Sequence, residues 1–223
     1  SVTVAIGNLN DNAPVITSSA SLSANENQTA IGTVTATDAD GDTVTFSVSG
    51  TDASSVNINS SSGVLAFNSA PDCETKTSYA FTVTASDGTN SSNQSVTVAI
   101  GNLNDNAPVI TSSSSLSTSE ADERKTEVEF ISWGSVTATD ADGSSLTFAF
   151  HGDSAGSTDT SSGLSIDSTG YFTINLTTGE LLGQSGYLSG NGFDYDYVNT
   201  PNSFQKEISV TDGQSTVTQK VTL

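Results

Sequence analysis

One stretch of this chain is written twice. Ser1-Val2-Thr3-Val4-Ala5-Ile6-Gly7-Asn8-Leu9-Asn10-Asp11-Asn12-Ala13-Pro14-Val15-Ile16-Thr17-Ser18-Ser19 returns without change at residues 95–113. A second echo carries Val34-Thr35-Ala36-Thr37-Asp38-Ala39-Asp40-Gly41 to residues 136–143. A third carries Ala85-Ser86-Asp87-Gly88 to Val210-Thr211-Asp212-Gly213. The offset is 94 at the first echo, 102 at the second and 125 at the third. Echoes that keep their order while their spacing widens mean two units of one plan, the second with insertions. The insertions fall around Glu120–Ile131, His151–Thr160 and Leu181–Asn191.

Each unit reads as short strands. In the first, Val34/Ala36, Val44/Phe46/Val48, Val56/Ile58, Val64/Ala66, Tyr79/Phe81/Val83/Ala85 and Val96/Val98/Ile100 alternate with polar residues, which puts them on one face of a strand. Asp40-Gly41, Ser62-Gly63 and Asp87-Gly88 are turn signals between them. The second unit repeats the plan with Val136/Ala138, Leu146/Phe148/Phe150, Leu164/Ile166, Phe172/Ile174/Leu176 and Ile208/Val210. The charged run from Glu120 suits a short helical turn, but Val128-Glu129-Phe130-Ile131 predicts a strand at its end. Many short strands with regular turns predict an all-β chain of two antiparallel, Ig-like, Greek-key sandwiches. The boundaries follow from the repeat. Residues 1–11 are the last strand and exit linker of a preceding unit, 12–104 one whole unit, and 105–223 a second with insertions. A chain that starts and stops inside such elements reads as a piece of a longer protein.

Composition narrows the partners. Only 34% of the 223 residues are hydrophobic, yet their alternation argues for order. The formal charge is −20, from 25 acidic and 5 basic residues. Such a field repels nucleic acid and anionic membranes, and a compact state this acidic needs counter-ions. Cys73 is the sole cysteine, so no internal disulfide forms. No apolar run approaches membrane-spanning length, so no membrane insertion is expected of this fragment.

The acids are patterned. Asp38-Ala39-Asp40 and Asp140-Ala141-Asp142 set two carboxylates two positions apart, and Asp72-Cys73-Glu74 and Asp194-Tyr195-Asp196 do the same elsewhere. In Asn102-Leu103-Asn104-Asp105-Asn106-Ala107-Pro108, Asn and Asp crowd a segment whose proline stiffens the exit. Like charges this close raise one another's pKa unless a cation intervenes. Carboxylates, amide oxygens and carbonyls are hard ligands, which suits calcium with its roughly six to eight oxygens. The His/Cys set for zinc is absent, and magnesium takes fewer protein oxygens in tighter geometry. An EF-hand is excluded, because the terminal glutamate position holds Ser49 in one unit and His151 in the other.

Taken together these residues resemble cadherin repeats. The resemblance rests on the Asn-Asp-Asn-Ala-Pro exit, the Asp-Ala-Asp pair, Glu26 after the first strand, Asp72-x-Glu74 and Ala85-Ser86-Asp87, in that family's order and nearly twice over. The short loop after Asp-Ala-Asp, the acidic Ser/Thr-rich composition and the scarcity of cysteine are most similar to the cadherin-like repeats of large bacterial surface adhesins. The resemblance implies a calcium-binding linker between the two sandwiches, with about three ions at the central junction. It implies Glu26, Asp72 and Glu74 from the first unit and Asp140, Asp142 and Asp212 from the second. Between them, Asn104 and Asp105 give side-chain oxygens, and Leu103 and Asn106 give backbone carbonyls. At the N-terminal end, Asn10, Asp11, Asn12, Asp38, Asp40 and Asp87 make half a junction, with at least one ion. At the C-terminal end, Glu120, Asp194 and Asp196 await a further linker. Asn8 and Asn102 stand where many family linkers have Asp, Asp196 stands in place of the usual Glu, and Lys206 stands at the position of Phe81.

The resemblance implies a structural and adhesive module of an extracellular surface protein, with other repeats of the same chain as neighbours. Calcium at the junctions would stiffen the array. The alternative is a carbohydrate- or protein-binding module that uses the second unit's insertions to meet cell-surface glycans or proteins; Tyr195 and Tyr197 are its stacking candidates. No enzyme is expected. His151 has no nucleophile elbow nearby, and Asp194 and Asp196 are already explained by metal. Trp133 reads as a core residue, Cys73 as a passive one facing either core or solvent, and the Asn-x-Ser/Thr triplets as products of composition.

Overall fold

The computed structural model describes residues 7–117, 129–152, 155–159, 161–168, 172–185 and 205–223. The chain divides into two compact units, Ser1–Leu103 and Asn104–Leu223.

The first unit contains strands β1 (Val15–Ile16), β2 (Ser21–Asn25), β3 (Ala30–Thr33), β4 (Ala36–Thr37), β5 (Thr45–Ser49), β6 (Val56–Ile58), β7 (Val64–Phe67), β8 (Ser78–Ser86) and β9 (Ser91–Gly101). One sheet has the order β2-β9-β8-β5 and the other β3-β7-β6, while β1 pairs with β4. The pairings are antiparallel, with one departure from the expected pattern: β2 lies parallel to β9, Leu22 opposite Val98. The first long strand thereby joins the last at a sheet edge, which a hairpin cannot arrange. Alternation holds in β8 and β9, where Phe81, Val83, Ala85, Val96, Val98 and Ile100 are all buried. Leu65, Phe67 and Val56 face them from the second sheet, and Val34, just past β3, completes the core. Cys73 joins that core, with its S–H directed at the Ile100 carbonyl at 3.7 Å.

One face was expected the wrong way round. In β7, Val64 is 49% exposed, while Leu65 and Phe67 are 1% and 3% exposed. The run Val64-Leu65-Ala66-Phe67 is apolar on both faces, so alternation is silent there. The larger pair takes the core because it removes more apolar surface from water.

The second unit contains β10 (Val109–Ile110), β11 (Glu129–Ser135), β12 (Ala138–Thr139), β13 (Thr147–Phe150), β14 (Ala155–Asp159), β15 (Leu164–Asp167), β16 (Phe172–Asn175), β17 (Glu180–Ser185), β18 (Gln205–Thr211) and β19 (Thr216–Thr222). Its sheets run β11-β17-β16-β15-β14 and β13-β18-β19, with β10 on β12. The strand expected near Ile131 is β11. Shared turns fix the correspondence with the first unit. Gly63 and Gly179 both accept the N–H of the residue that opens the Asp-Ala-Asp stretch, Val34 and Val136. Both have positive φ, +70° and +66°, and an added Cβ would lie 2.1 Å from the carbonyl oxygen of Val34 or Val136. Asn59 and Asn175 hold the preceding turns by accepting two backbone N–H groups each.

Two expectations change. Val56/Ile58 corresponds to Phe172/Ile174 in β16, not to Leu164/Ile166. The offset grows from 102 at Val34 and Val136 to 116 at Leu65 and Leu181, which places 14 extra residues between them. Those residues build the hairpin β14–β15, added to the sheet edge. Within β15 the buried residues are Ser165 and Asp167, while Leu164 and Ile166 are half-buried. Leu181 is not an insertion residue but the fully buried counterpart of Leu65. Trp133 is half-buried and meets Phe172 edge-on at 6.3 Å. No helix among the described residues is long and apolar enough to cross a membrane.

Candidate metal centre

The donor residues sit on turns, and each turn uses half of its carboxylate. In the first unit, Asp38 Oδ1 accepts the N–H groups of Asp40 and Asp42 at 3.0 and 3.1 Å. Asp87 Oδ1 accepts those of Thr89 and Asn90 at 2.7 and 2.6 Å. These are Asx turns, which explains why Asp followed by Gly or a small residue recurs here. The second oxygens are another matter: Asp38 Oδ2 and Asp87 Oδ2 are buried and accept no hydrogen bond.

The second unit repeats this. Asp140 Oδ1 accepts the Ser144 N–H at 3.2 Å, and Asp212 Oδ1 those of Gln214 and Ser215 at 2.7 and 2.6 Å. Asp140 Oδ2, Asp212 Oδ2 and Asn104 Oδ1 are buried without a partner. A buried polar oxygen left alone costs stability, and an anionic one more. The same atoms orphaned at repeat-related positions in separate units fit a hard cation, and no donor among the described residues meets them.

Asp40 and Asp142 do a different job: they lock the linkers. Asp40 Oδ2 accepts the N–H groups of Asp11 and Asn12 at 3.1 and 2.8 Å, and its Oδ1 the Asn12 amide at 2.9 Å. Asp142 Oδ2 accepts those of Asp105 and Asn106 at 3.0 and 2.8 Å, and its Oδ1 the Asn106 amide at 2.8 Å. Asn12 and Asn106 also donate to Asp11 and Asp105, each at 2.9 Å. The Asn12 N–H and amide hold the Asp40 carboxyl below its ordinary range against the effect of burial, with Asp11 N–H adding to them. For Asp87, burial pushes upward, but donation from Asn90, Thr89 and Asn10 prevails and holds its carboxyl low. Both sites therefore stay anionic while crowded by like charge.

Glu26 is 2% exposed. Its Oε2 accepts the Cys73 N–H and its Oε1 the Leu103 N–H, both at 2.7 Å. Leu103, expected to offer its carbonyl, is thus also held through its N–H. Asp72 is exposed and caps the turn after it, with the Thr75 N–H and hydroxyl at 3.1 and 3.0 Å. The Thr75 hydroxyl first, and then its N–H, hold the Asp72 carboxyl low. Glu74 is exposed beside it. Asn10 accepts the Asn90 amide at 3.2 Å, whereas Asn104 donates to the Asp212 carbonyl at 3.3 Å.

Asp42 was not foreseen. Its carboxylate lies with those of Asp38 and Asp40 in a group whose oxygens are all within 4.8 Å of one another. The sequence signal was present as a third acid at the same spacing, but the second unit has Ser144 there. The pair Asp167 and Lys206 was also missed, because each is polar in a strand read as apolar. Glu120, Asp194, Asp196, Tyr195 and Tyr197 lie outside the described residues.

Residues 18–104 match the cadherin domain family. Among solved structures, extracellular cadherin domains 3–6 of protocadherin gamma B2 superpose with a TM-score of 0.69 at 25% identity, covering 98% of this chain and 52% of that one. The protocadherin gammaB4 extracellular domain gives 0.67 at 25% identity, covering 97% and 34%. Human protocadherin-24 EC1-2 gives 0.65 at 23% identity, covering 96% and 95%. The chain spans about half or less of the two gamma protocadherins. No curated protein sequence matches it. Fold and donor turns thus define a pair of cadherin-type β-sandwiches. Residues 18–104 are similar to that family by sequence as well, and the whole chain is similar in fold to extracellular cadherin domains.

Proposed function

We propose that the chain is a calcium-dependent structural and adhesive module of an extracellular surface protein. The observation that carries this reading is the set of buried, unpartnered oxygens on Asp38, Asp87, Asp140, Asp212 and Asn104. Calcium supplies what these atoms lack: a divalent charge that accepts many oxygens without strict geometry. Asp40 and Asp142 orient the linker backbones, Asn12 and Asn106 brace them, and Asp11, Asp105, Glu26 and Glu74 add carboxylate oxygens. With the cation bound, each linker is tied to its unit, and successive repeats are held at a fixed angle. Without it, the clustered carboxylates repel and the linker hinges. About three ions at the central junction and at least one at the N-terminal half-junction fit this donor count. The acidic, Ser/Thr-rich, cysteine-poor composition supports a place among bacterial surface adhesins.

The test is a calorimetric calcium titration of the chain and of Asp105→Ala, alongside melting and small-angle scattering with and without chelator. Saturable binding, weakened in the variant, and a lower melting temperature in chelator are expected. Melting and scattering unchanged by chelator would overturn the reading.

A further inference from the structure

The second unit's core contains an amine and a carboxylic acid in contact. Lys206 lies on β18 at the position that Phe81 occupies in the first unit, where a core side chain belongs. Its Nζ is 2.6 Å from Asp167 Oδ2, with the side chains 9% and 0% exposed. Asp167 ends β15, so the acid arrives on the hairpin that the first unit lacks. Phe172 N–H donates to the other oxygen, Oδ1, at 2.9 Å. The Phe172 ring, itself 1% exposed, lies 4.9 Å from Nζ.

We propose that Lys206 and Asp167 are the two ends of an intramolecular amide cross-link, formed between their side chains once the second unit has folded. A charged pair in an apolar core carries a desolvation penalty that a neutral product does not. The chemistry balances with the groups present. One proton passes from the Lys206 ammonium to Asp167 Oδ2, leaving a neutral amine and a neutral acid. The nitrogen lone pair attacks Cγ, and negative charge develops on Oδ1, where the Phe172 N–H already points. The C–N bond forms, the C–Oδ2 bond breaks, and Oδ2 leaves as water with its own proton and one from nitrogen. Nothing is oxidised or reduced, and no co-reactant is needed. Burial holds the reactants in contact and excludes competing water, as effective concentration does in any intramolecular reaction. The product ties the added hairpin covalently to the central strand of the opposite sheet.

Intact mass spectrometry of the folded, then denatured full chain tests this, with fragmentation of its tryptic peptides. The expected mass is one water below that of the sequence. Trypsin should not cut after Lys206, so residues 126–220 should remain one peptide that carries the deficit, and a second cleavage after Glu180 should leave the segments containing Asp167 and Lys206 joined as a branched peptide. Lys206→Met should restore the full sequence mass whether or not it folds. Three results overturn the proposal: full mass with normal cleavage at Lys206, a water deficit that maps to an Asp-Gly succinimide, or a deficit that persists in Lys206→Met.

Discussion

Glu26 accepts the backbone N–H of Leu103 at 2.7 Å, at the point where the first unit ends. Its other oxygen takes the Cys73 N–H at the same distance. A residue expected as a metal ligand is therefore also the structural tie of strand, turn and linker exit. Glu26→Ala leaves the buried Cys73 N–H without its acceptor and is expected to cost about 2–4 kcal/mol. Glu26→Gln keeps an acceptor and should cost less. Urea unfolding in excess chelator measures this. A loss that appears only with calcium would mean that Glu26 acts through metal alone.

The half-used aspartates give a sharper test of calcium. Asp87→Asn or Asp212→Asn keeps the Oδ1 that holds the turn and replaces the orphaned Oδ2 with an amide. In chelator such variants should be as stable as the parent or slightly more so, because a buried lone carboxylate oxygen is gone. In calcium the parent gains about 2.7 kcal/mol when free ion is about a hundredfold above Kd, and each tenfold loss of affinity removes about 1.4 kcal/mol of that. Denaturant midpoints with and without calcium read the difference. An increment unchanged by both substitutions would remove these residues from the metal site.

Acid should weaken the fold through Asp52. Lys76 Nζ donates to its Oδ1 at 2.6 Å, and the Ala80 N–H to Oδ2 at 2.8 Å. The Lys76 hydrogen bond first, and then the Ala80 N–H, hold its carboxyl below the ordinary value of 3.8. The unfolded chain then binds the proton more readily than the folded one. The stabilisation is complete above that ordinary value and is lost as pH falls through the lower folded value. Asp52→Asn should flatten the acid limb of stability measured in chelator. An identical acid limb in parent and variant would show that Asp52 contributes nothing to it.

What could be read from the residues, and what could not, divides along physical lines. The repeat, the sandwich and the aspartate turns were legible because identical motifs at Asn10–Pro14 and Asn104–Pro108 report themselves, and because Asx turns demand Asp at fixed places. The hairpin β14–β15 was not, since its Leu164 and Ile166 alternate as a core strand does while Ser165 and Asp167 turn inward. The buried Lys206 on another strand and the Phe172 N–H make an inward Asp167 tolerable, and pairing with Lys206 across 39 residues leaves no local mark. The structural use of Glu26, as acceptor of the distant Cys73 and Leu103 N–H groups, was hidden for the same reason.

The reversed face of β7 makes the last case. Val64 and Leu65 are adjacent, similar in hydrophobicity, and opposite in fate: 49% and 1% exposed. Leu65 packs within the first core beside Val34 and Phe67. Leu65→Ala removes buried methyl groups and leaves a cavity, so about 2–5 kcal/mol is expected. Val64→Ala trims a solvent-facing side chain, so the change should stay within about 0.5 kcal/mol. Because the neighbours share one backbone pairing, with Val64 opposite Thr33 and Leu65 opposite Gly32, strand propensity alone cannot separate them. The gap between the two variants, measured by denaturant unfolding in calcium, therefore reports burial. Equal losses would mean that the strand does not keep one face inward.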